Sequence, residues 1–393
     1  MKRQACMWIG STFAVAALLV VAAFLPSNAQ SKPIKLGLPQ PQSGPVSFAG
    51  VTCARSAQIA MDEINAKGGI NGRKLELVIR DDEHNPTKHV AAVRELVEKE
   101  KVVALFGPTA STAGLAVAPI LNEELHVPML LPFAAATDIV WNKAWQEKKP
   151  NYLFRYGMFD SGQARALVEF ATRKLGKNKL AILVENSGWG EGGRVEMAKT
   201  LKEMNITALA EEKFNFKDTD LTAQLGRVQR SGADLVLFYG QVAEANAMLR
   251  TMAKMAYRPP VVSAWGIANA QFWNNAKELG EGVYVLTTAT PDGPQPAARR
   301  GLIEEFEKRH GKGSITSFPG ALHCYDIVKL VEIAVRKVGD DPTKIREALE
   351  DIAGFKGVLR DFDRPVFTQD RHDALLPGDL LMTRWTNGEM LPL

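Results

Sequence analysis

One unit occurs twice in this chain and restricts what it can become. Leu75 to Ile79 reads as a strand, Arg80-Asp81-Asp82 as an acidic turn, and Pro86 opens a helix that runs to Lys101. The apolar run Val102 to Phe106 follows and stops at Gly107. From Ile206 to Gly240 the same order returns: a strand to Phe214, the turn Asp218-Thr219-Asp220, a helix, the run Ala233 to Tyr239, and a glycine. Short unbroken apolar runs are strands buried on both faces, which parallel sheets covered by helices provide. Strand and helix alternate almost throughout, which predicts an α/β fold. The unit is too large to be one turn of a solenoid. At 393 residues the chain has room for two lobes of like architecture, at ~100–200 residues each.

The remaining elements fit around these units. Ile34 to Pro39 is a first strand, and Val51 to Lys67 a helix closed by Gly68-Gly69-Ile70-Asn71-Gly72. Val127 to Leu131, Leu180 to Val184, Val261 to Ala264 and Gly282 to Leu286 are further short strands, and Trp189 to Met204 is a helix. Pro291, Gly293, Pro294 and Pro296 mark a linker before helices at Ala297–His310, about Gly320–Val338 and from Pro342. The tail from Leu380 is a hairpin around Asn387-Gly388.

Residues 1–29 have the form of a secretory signal. Lys2 and Arg3 lead, Ile9 to Leu25 carries no charge, Pro26 breaks it, and Ser27 and Ala29 leave small residues before a cut at Gln30. Export directs the mature chain to the periplasm. The run is marginal for a ~20-residue membrane span. Formal charge is +4, or +2 without Lys2 and Arg3, too little and too evenly spread for a nucleic-acid partner. Cys53 and Cys324 remain. Export permits a disulfide between them, but their wide separation favours two separate, half-buried thiols.

Chemistry concentrates after Phe106. Gly107-Pro108 stops the strand, and Thr109, Ser111 and Thr112 open a small-residue helix. Hydroxyls there cap orphan N–H groups and leave donors for an anion beyond the helix tip. Ligands of doubly wound sheets bind at the carboxyl ends of the strands, so this junction is a candidate pocket for a ligand carboxylate. Taken alone, the segment reads better as an ordinary Ser/Thr cap. Gly188-Trp189-Gly190-Glu191-Gly192-Gly193 satisfies G-x-G-x-x-G after a strand, and Glu211 and Glu212 follow at a dinucleotide-like distance. Glu191 would face the pyrophosphate, however, and Asn186-Ser187 lengthen the turn. Asp81-Asp82-Glu83-His84 reads as a solvated loop rather than a metal site, and the histidines lack ligand spacing. Neither G-x-S-x-G nor H-E-x-x-H occurs, and no catalytic set, metal site or cofactor is expected.

Ser43-Gly44-Pro45, the block Asn65-Ala66-Lys67-Gly68-Gly69-Ile70-Asn71-Gly72, Asp81-Asp82, Gly107 with Ser111-Thr112, Ala136-Thr137, Arg155, Asp160-Ser161 and Trp189-Gly190-Glu191-Gly192 resemble the branched-chain amino-acid (Leu/Ile/Val) binding-protein family. These are soluble receptors of ABC importers. The resemblance covers essentially the whole mature chain. It implies two doubly wound parallel-sheet lobes joined by three crossovers, near Arg155–Phe159, Leu286–Thr290 and Gly357–Phe362, with a ligand cleft between them. Residues 30–156 and 288–357 would form lobe 1, and 157–287 and 358–393 lobe 2. Ser111 and Thr112, with the backbone around Ala135 and Thr137, would hold a carboxylate. Trp189, Gln241 and Phe48 would enclose the rest of the ligand. The protein would be a monomer that delivers a small carboxylate to a permease of the inner membrane. A periplasmic sensor of the same fold, or a dinucleotide-dependent enzyme, are the alternatives.

One position departs from the family. Amino-acid receptors place an acid in the loop that here reads Ser263-Ala264-Trp265-Gly266, because a buried ammonium needs a partner. Trp265 stands there instead and suits a flat or apolar body. Asp160 or Glu244 could supply the missing charge. The choice between an amino acid and a non-amino carboxylate stays open.

Overall fold

The computed structural model describes residues 32–393, so the leader expected at 1–29 lies outside the described residues. The chain runs β1 (Ile34–Pro39), α1 (Ser47–Ala66), β2 (Leu75–Arg80), α2 (Pro86–Glu98), β3 (Ala104–Phe106), α3 (Ser111–Ile120), β4 (Met129–Leu131), the short α4 (Thr137–Val140) and α5 (Lys143–Gln146), and β5 (Leu153–Arg155). Then come α6 (Asp160–Glu169), β6 (Leu180–Glu185), α7 (Gly188–Glu203), β7 (Ala210–Phe214), α8 (Thr222–Arg230), β8 (Leu235–Tyr239), α9 (Val242–Lys254), β9 (Val261–Ser263), α10 (Ala270–Ala276) and β10 (Tyr284–Thr287). Helices α11 (Ala297–His310), α12 (Phe318–Val338) and α13 (Pro342–Leu349) precede the hairpin β11 (Leu381–Thr386) and β12 (Glu389–Pro392).

Two sheets result, ordered β2-β1-β3-β4-β5 and β12-β11-β10-β9-β8-β6-β7. The first is parallel throughout. The second is parallel from β7 to β10 and antiparallel at the terminal hairpin. The repeated unit explains the match. In each lobe its first strand (β2, β7) takes the edge, and its second (β3, β8) lies on the far side of the strand before it. Strand order therefore reverses beside β1 and beside β6. Each such reversal opens a crevice at the carboxyl edge of its sheet.

Both faces of both sheets are covered. On the first sheet, one cluster joins β1 and β3 to α1, α11 and α12, and another packs Val93, Leu96 and Val117 from α2 and α3 on the opposite face. On the second, Leu225, Met248 and Phe272 of α8, α9 and α10 cover one face, and Leu167 and Met197 of α6 and α7 the other. The two-lobed α/β architecture expected from the repeat is therefore present.

Three local expectations change. Strand β5 and the helices from α4 to α6 add to the elements expected from sequence; β5 has only three residues and α4 and α5 four each, too few to show a periodicity. The third passage between lobes falls at Leu376–Leu380 rather than Gly357–Phe362: Val358, Phe362, Phe367 and Leu375 all pack in the first lobe's cluster before β11 begins. The lobe boundary expected at 357/358 lies inside that cluster. Cys53 and Cys324 are not separate thiols. They form a disulfide, their Cα atoms 5.2 Å apart, because α1 and α12 lie side by side although their cysteines are 271 residues apart in sequence.

The returning segment also clamps the first passage. Arg155, fully buried at the end of β5, donates Nε–H to Asp373 Oδ1 at 2.6 Å and Nη1–H to the carbonyls of Ala135 and Ala136. The Arg155 amide donates to the His372 carbonyl, and its own carbonyl accepts from Ala374. A guanidinium is suited to this task, since its fork serves a carboxylate and carbonyls together. Replacing it strands a largely buried carboxylate, which costs about 3–5 kcal/mol. Arg155→Leu is accordingly expected to lower unfolding stability by that amount in urea titrations; a loss below about 1 kcal/mol would show that the clamp is not needed.

Candidate functional site

The carboxyl edges of the two sheets face one cleft. From the first lobe it is lined by Thr109 to Thr112, by Phe48 from the first turn of α1, by His84 after β2, and by Phe133 after β4. From the second come Glu185 at the end of β6, Ser187 and Trp189 after it, Gln241 after β8, and Trp265, Gly266 and Asn269 after β9. The switch points of both sheets thus contribute to a single space.

The hydroxyl-rich tip of α3 is built by a close strand approach. At Gly107 φ is +154°, and a Cβ there would sit 2.7 Å from the Pro39 carbonyl oxygen of β1, so only glycine fits. The turn releases Thr109 to Thr112 into the cleft. Ser111 is 2 % exposed, and its oxygen accepts from the amides of Ala135 and Ala136, each at 3.1 Å. Its own hydrogen remains to donate. Ala110 at the N-cap supplies no side-chain cap, so the first-turn amides of α3 present their donors and the positive end of the helix dipole at the cleft.

Of the residues expected from sequence, Phe48, Ser111, Thr112, Trp189, Gln241 and Trp265 line the cleft together. Ala135 and Thr137 do not. The Ala135 amide is held by Ser111, its carbonyl accepts from Arg155 and from the Asp160 amide, and the Thr137 hydroxyl donates to Glu196 Oε1 across the lobes at 3.1 Å. Trp265 packs against clusters of both lobes, with its ring 5.9 Å from that of Phe133 and 6.0 Å from that of His323. His323 is buried, bonded to the Pro132 carbonyl and Thr288, and burial pushes its imidazole down to about 4, so it is a neutral packing group.

The charged side of the cleft lies elsewhere than expected. Asp160 is fully buried behind the lining, accepting from the Tyr239 hydroxyl at 2.7 Å, and burial lifts its carboxyl to about 7. Glu244 is likewise out of the lining, accepting from the Lys217 amide at 2.6 Å. The acid in the cleft is Glu185. Burial, with the charge of Glu244 added, lifts its carboxyl to about 7 against the lowering effect of the Ser187 hydroxyl. Its only sequence signal is an acid ending an apolar strand. Across the cleft, burial lowers the His84 imidazole, and its ring lies 5.8 Å from that of Phe216.

The dinucleotide-like glycines are used by packing. A Cβ on Gly193 would meet the Tyr239 ring at 2.5 Å, and one on Gly192 would meet Asp160 Oδ2 at 2.5 Å. Ser187 caps α7 through the Gly190 amide, at 3.2 Å. The acidic loop after β2 is less solvated than expected. Asp82 is 2 % exposed and bonds the His89 ring at 2.8 Å, while Asp81 accepts from the amides of Gln42 and Glu83. These acids shape the loop that presents His84.

The chain matches the family model for periplasmic binding proteins over residues 33–389. It is 27% identical to the leucine-, isoleucine-, valine-, threonine- and alanine-binding protein of Pseudomonas aeruginosa, over 89% of this chain and 94% of that one. Its fold is similar to that of the branched-chain amino acid transporter substrate-binding protein LivJ of Streptococcus pneumoniae, solved with isoleucine (TM-score 0.79, 23% identity, 92% of this chain and 99% of that one). It is also similar to an ABC transporter solute-binding protein of Rhodopseudomonas palustris HaA2 solved with p-hydroxybenzoic acid (TM-score 0.76, 20% identity, 92% and 95%).

The lobes touch at the mouth of the cleft. A Cβ on Gly188 at the start of α7 would lie 2.9 Å from Thr112 Cγ2 and 3.3 Å from Leu115 Cδ1 of α3. A larger side chain there is expected to prop the lobes apart without disturbing either core. Gly188→Val should unfold at the temperature of the unsubstituted protein yet keep a larger radius of gyration when saturated with ligand. Identical small-angle scattering from the two saturated proteins would remove this role.

Proposed function

The chain belongs to the periplasmic binding protein family, and from that premise we propose that it is the solute receptor of an ABC importer, a monomer working in the periplasm. It captures a small carboxylate with an apolar body between its lobes and delivers it to a membrane permease. The observation that carries this reading is the uncapped tip of α3, with Ser111, opening into a cleft shared by both lobes. Such a tip is a ready anion site, and the Ser111 hydroxyl adds a donor to the amides. Trp189, Phe48 and Trp265 would enclose the apolar body, with Gln241 and Thr112 at its polar edges. Isoleucine and p-hydroxybenzoic acid, the molecules held by two similar folds, share this pairing of carboxylate and apolar body.

Closure follows from where the contacts lie. A ligand bound by one lobe alone shifts no equilibrium, whereas one touching both favours the closed form. We assign the first lobe residues to 156 and from 288 to about 375, since Val358 to Leu375 pack with it. The leader-like segment at 1–29 and the family the chain belongs to support the periplasmic setting. An affinity in the micromolar range requires roughly −8 kcal/mol, within reach of one buried carboxylate and an apolar enclosure.

A thermal-shift panel of amino acids, aromatic acids, dicarboxylates and amides is the direct test. Carboxylates should raise the melting temperature, and the amides of the same bodies should not. Ser111→Ala removes a hydrogen bond to a charged group, about 1.5–3 kcal/mol, so affinity for the stabilising acid should fall roughly 10- to 100-fold in calorimetry. Unchanged affinity would remove Ser111 from the site.

A further inference from the structure

The seam between the lobes closes over a carboxyl group that stands behind the cleft lining. Asp160 opens α6 directly after the first passage and is wholly buried. Its Oδ1 accepts from the Tyr239 hydroxyl of β8 at 2.7 Å and from Gln163 Nε2 at 3.3 Å, while Oδ2 has no hydrogen-bond partner. That bare oxygen faces Gly192 of α7, where a Cβ would lie 2.5 Å from it. The same spot is 3.7 Å from Ala136 Cβ, which belongs to the first lobe. Two bonds hold the first lobe there. The Asp160 amide donates to the Ala135 carbonyl at 2.9 Å, and the Thr137 hydroxyl donates to Glu196 of α7 at 3.1 Å.

A carboxyl group cut off from water with one oxygen unsatisfied is costly as an anion and acceptable as an acid. Burial is the largest influence on Asp160 and lifts its carboxyl to about 7. Glu196, a like charge on α7, works in the same direction. The Tyr239 hydroxyl, Arg155 at the end of β5 and, more weakly, the Trp189 indole oppose it. Arg155 is already committed to Asp373 and to the carbonyls of Ala135 and Ala136, so it does not neutralise Asp160. Part of the burial comes from the other lobe. Ala136 and Thr137 belong to the first lobe, Gly192 and Glu196 to the second, so parting the lobes admits water to Oδ2.

We propose that Asp160 couples lobe closure to the uptake of a proton: the closed protein holds the proton on this carboxyl, and opening hydrates the group and releases it. This rests on the reading that the lobes close about a hinge. The closed form binds the extra proton, so closure is favoured at lower pH. It weakens as pH rises toward about 7 and levels off above, where both forms are ionised. A receptor built this way keeps its solute more firmly in mild acid than in mild alkali.

Carbon-13 NMR of protein labelled at its aspartate carboxyls tests this without any ligand. The Asp160 signal is identified by its loss in Asp160→Asn or Asp160→Glu. Thr112→Cys with Gly188→Cys, joined as a disulfide, locks the lobes where they touch, and Gly188→Val props them apart. Small-angle scattering reports the separation in each form. The Asp160 carboxyl should titrate at about 7 in the locked form and about one pH unit or more lower in the propped form, a ten-fold or greater loss of proton affinity. An ordinary aspartate midpoint of about 4 in the locked form, or equal midpoints in the two forms, would overturn the proposal. Scattering keeps it apart from the hinge reading. Equal midpoints in forms of different radius remove the proton link alone, and equal midpoints with equal radii remove both.

Discussion

In a parallel sheet every strand delivers its carboxyl end to the same edge, and this constraint organises the molecule. Helices must cover both faces, so the edge is the one place left for loops of varied chemistry. Two such sheets set edge to edge create a cleft without any element devoted to forming it. The Gly107 turn, the β6–α7 turn and the loops at Gln241 and Trp265 meet there because each leaves the same side of its sheet. The passages between the lobes then join the two sheets. Arg155 fixes one of them by gathering Asp373 and the carbonyls of Ala135 and Ala136, which ties the first passage to the last segment returning from the first lobe.

The architecture was legible because its signals are periodic and repeated. Leu75–Gly107 and Ile206–Gly240 announced two equivalent units, and both took the same place in their sheets. Ser111 and Thr112 were legible because hydroxyls follow a strand stopped by Gly107-Pro108, a pattern tied to a helix start. What escaped depends on contacts between residues far apart in sequence. The disulfide joins helices whose adjacency is set by packing. The third passage lies at Leu376–Leu380 because Val358 to Leu375 bury with the first lobe, which no local pattern records.

The charged residue of the cleft escaped for a different reason. An acid directly after Leu180-Ala181-Ile182-Leu183-Val184 looks like the first solvated residue beyond a strand. In the fold, Glu185 is the last residue of β6 and is buried with the rest of it. Asp160 and Glu244, singled out from sequence, are buried too but stand behind the lining, one bonded to Tyr239 and the other to the Lys217 amide. Only three-dimensional placement separates an acid that shapes the lobe from one that meets the space between lobes.

The disulfide and the late helices bear on the order in which the molecule can assemble. Cys53 waits for Cys324, the first lobe's core draws on residues as far as Leu375, and the second sheet gains its last strands only at β11 and β12. Neither half has its full set of contacts until these late segments are in place. Each lobe is therefore closed by residues far along the chain from those that begin it.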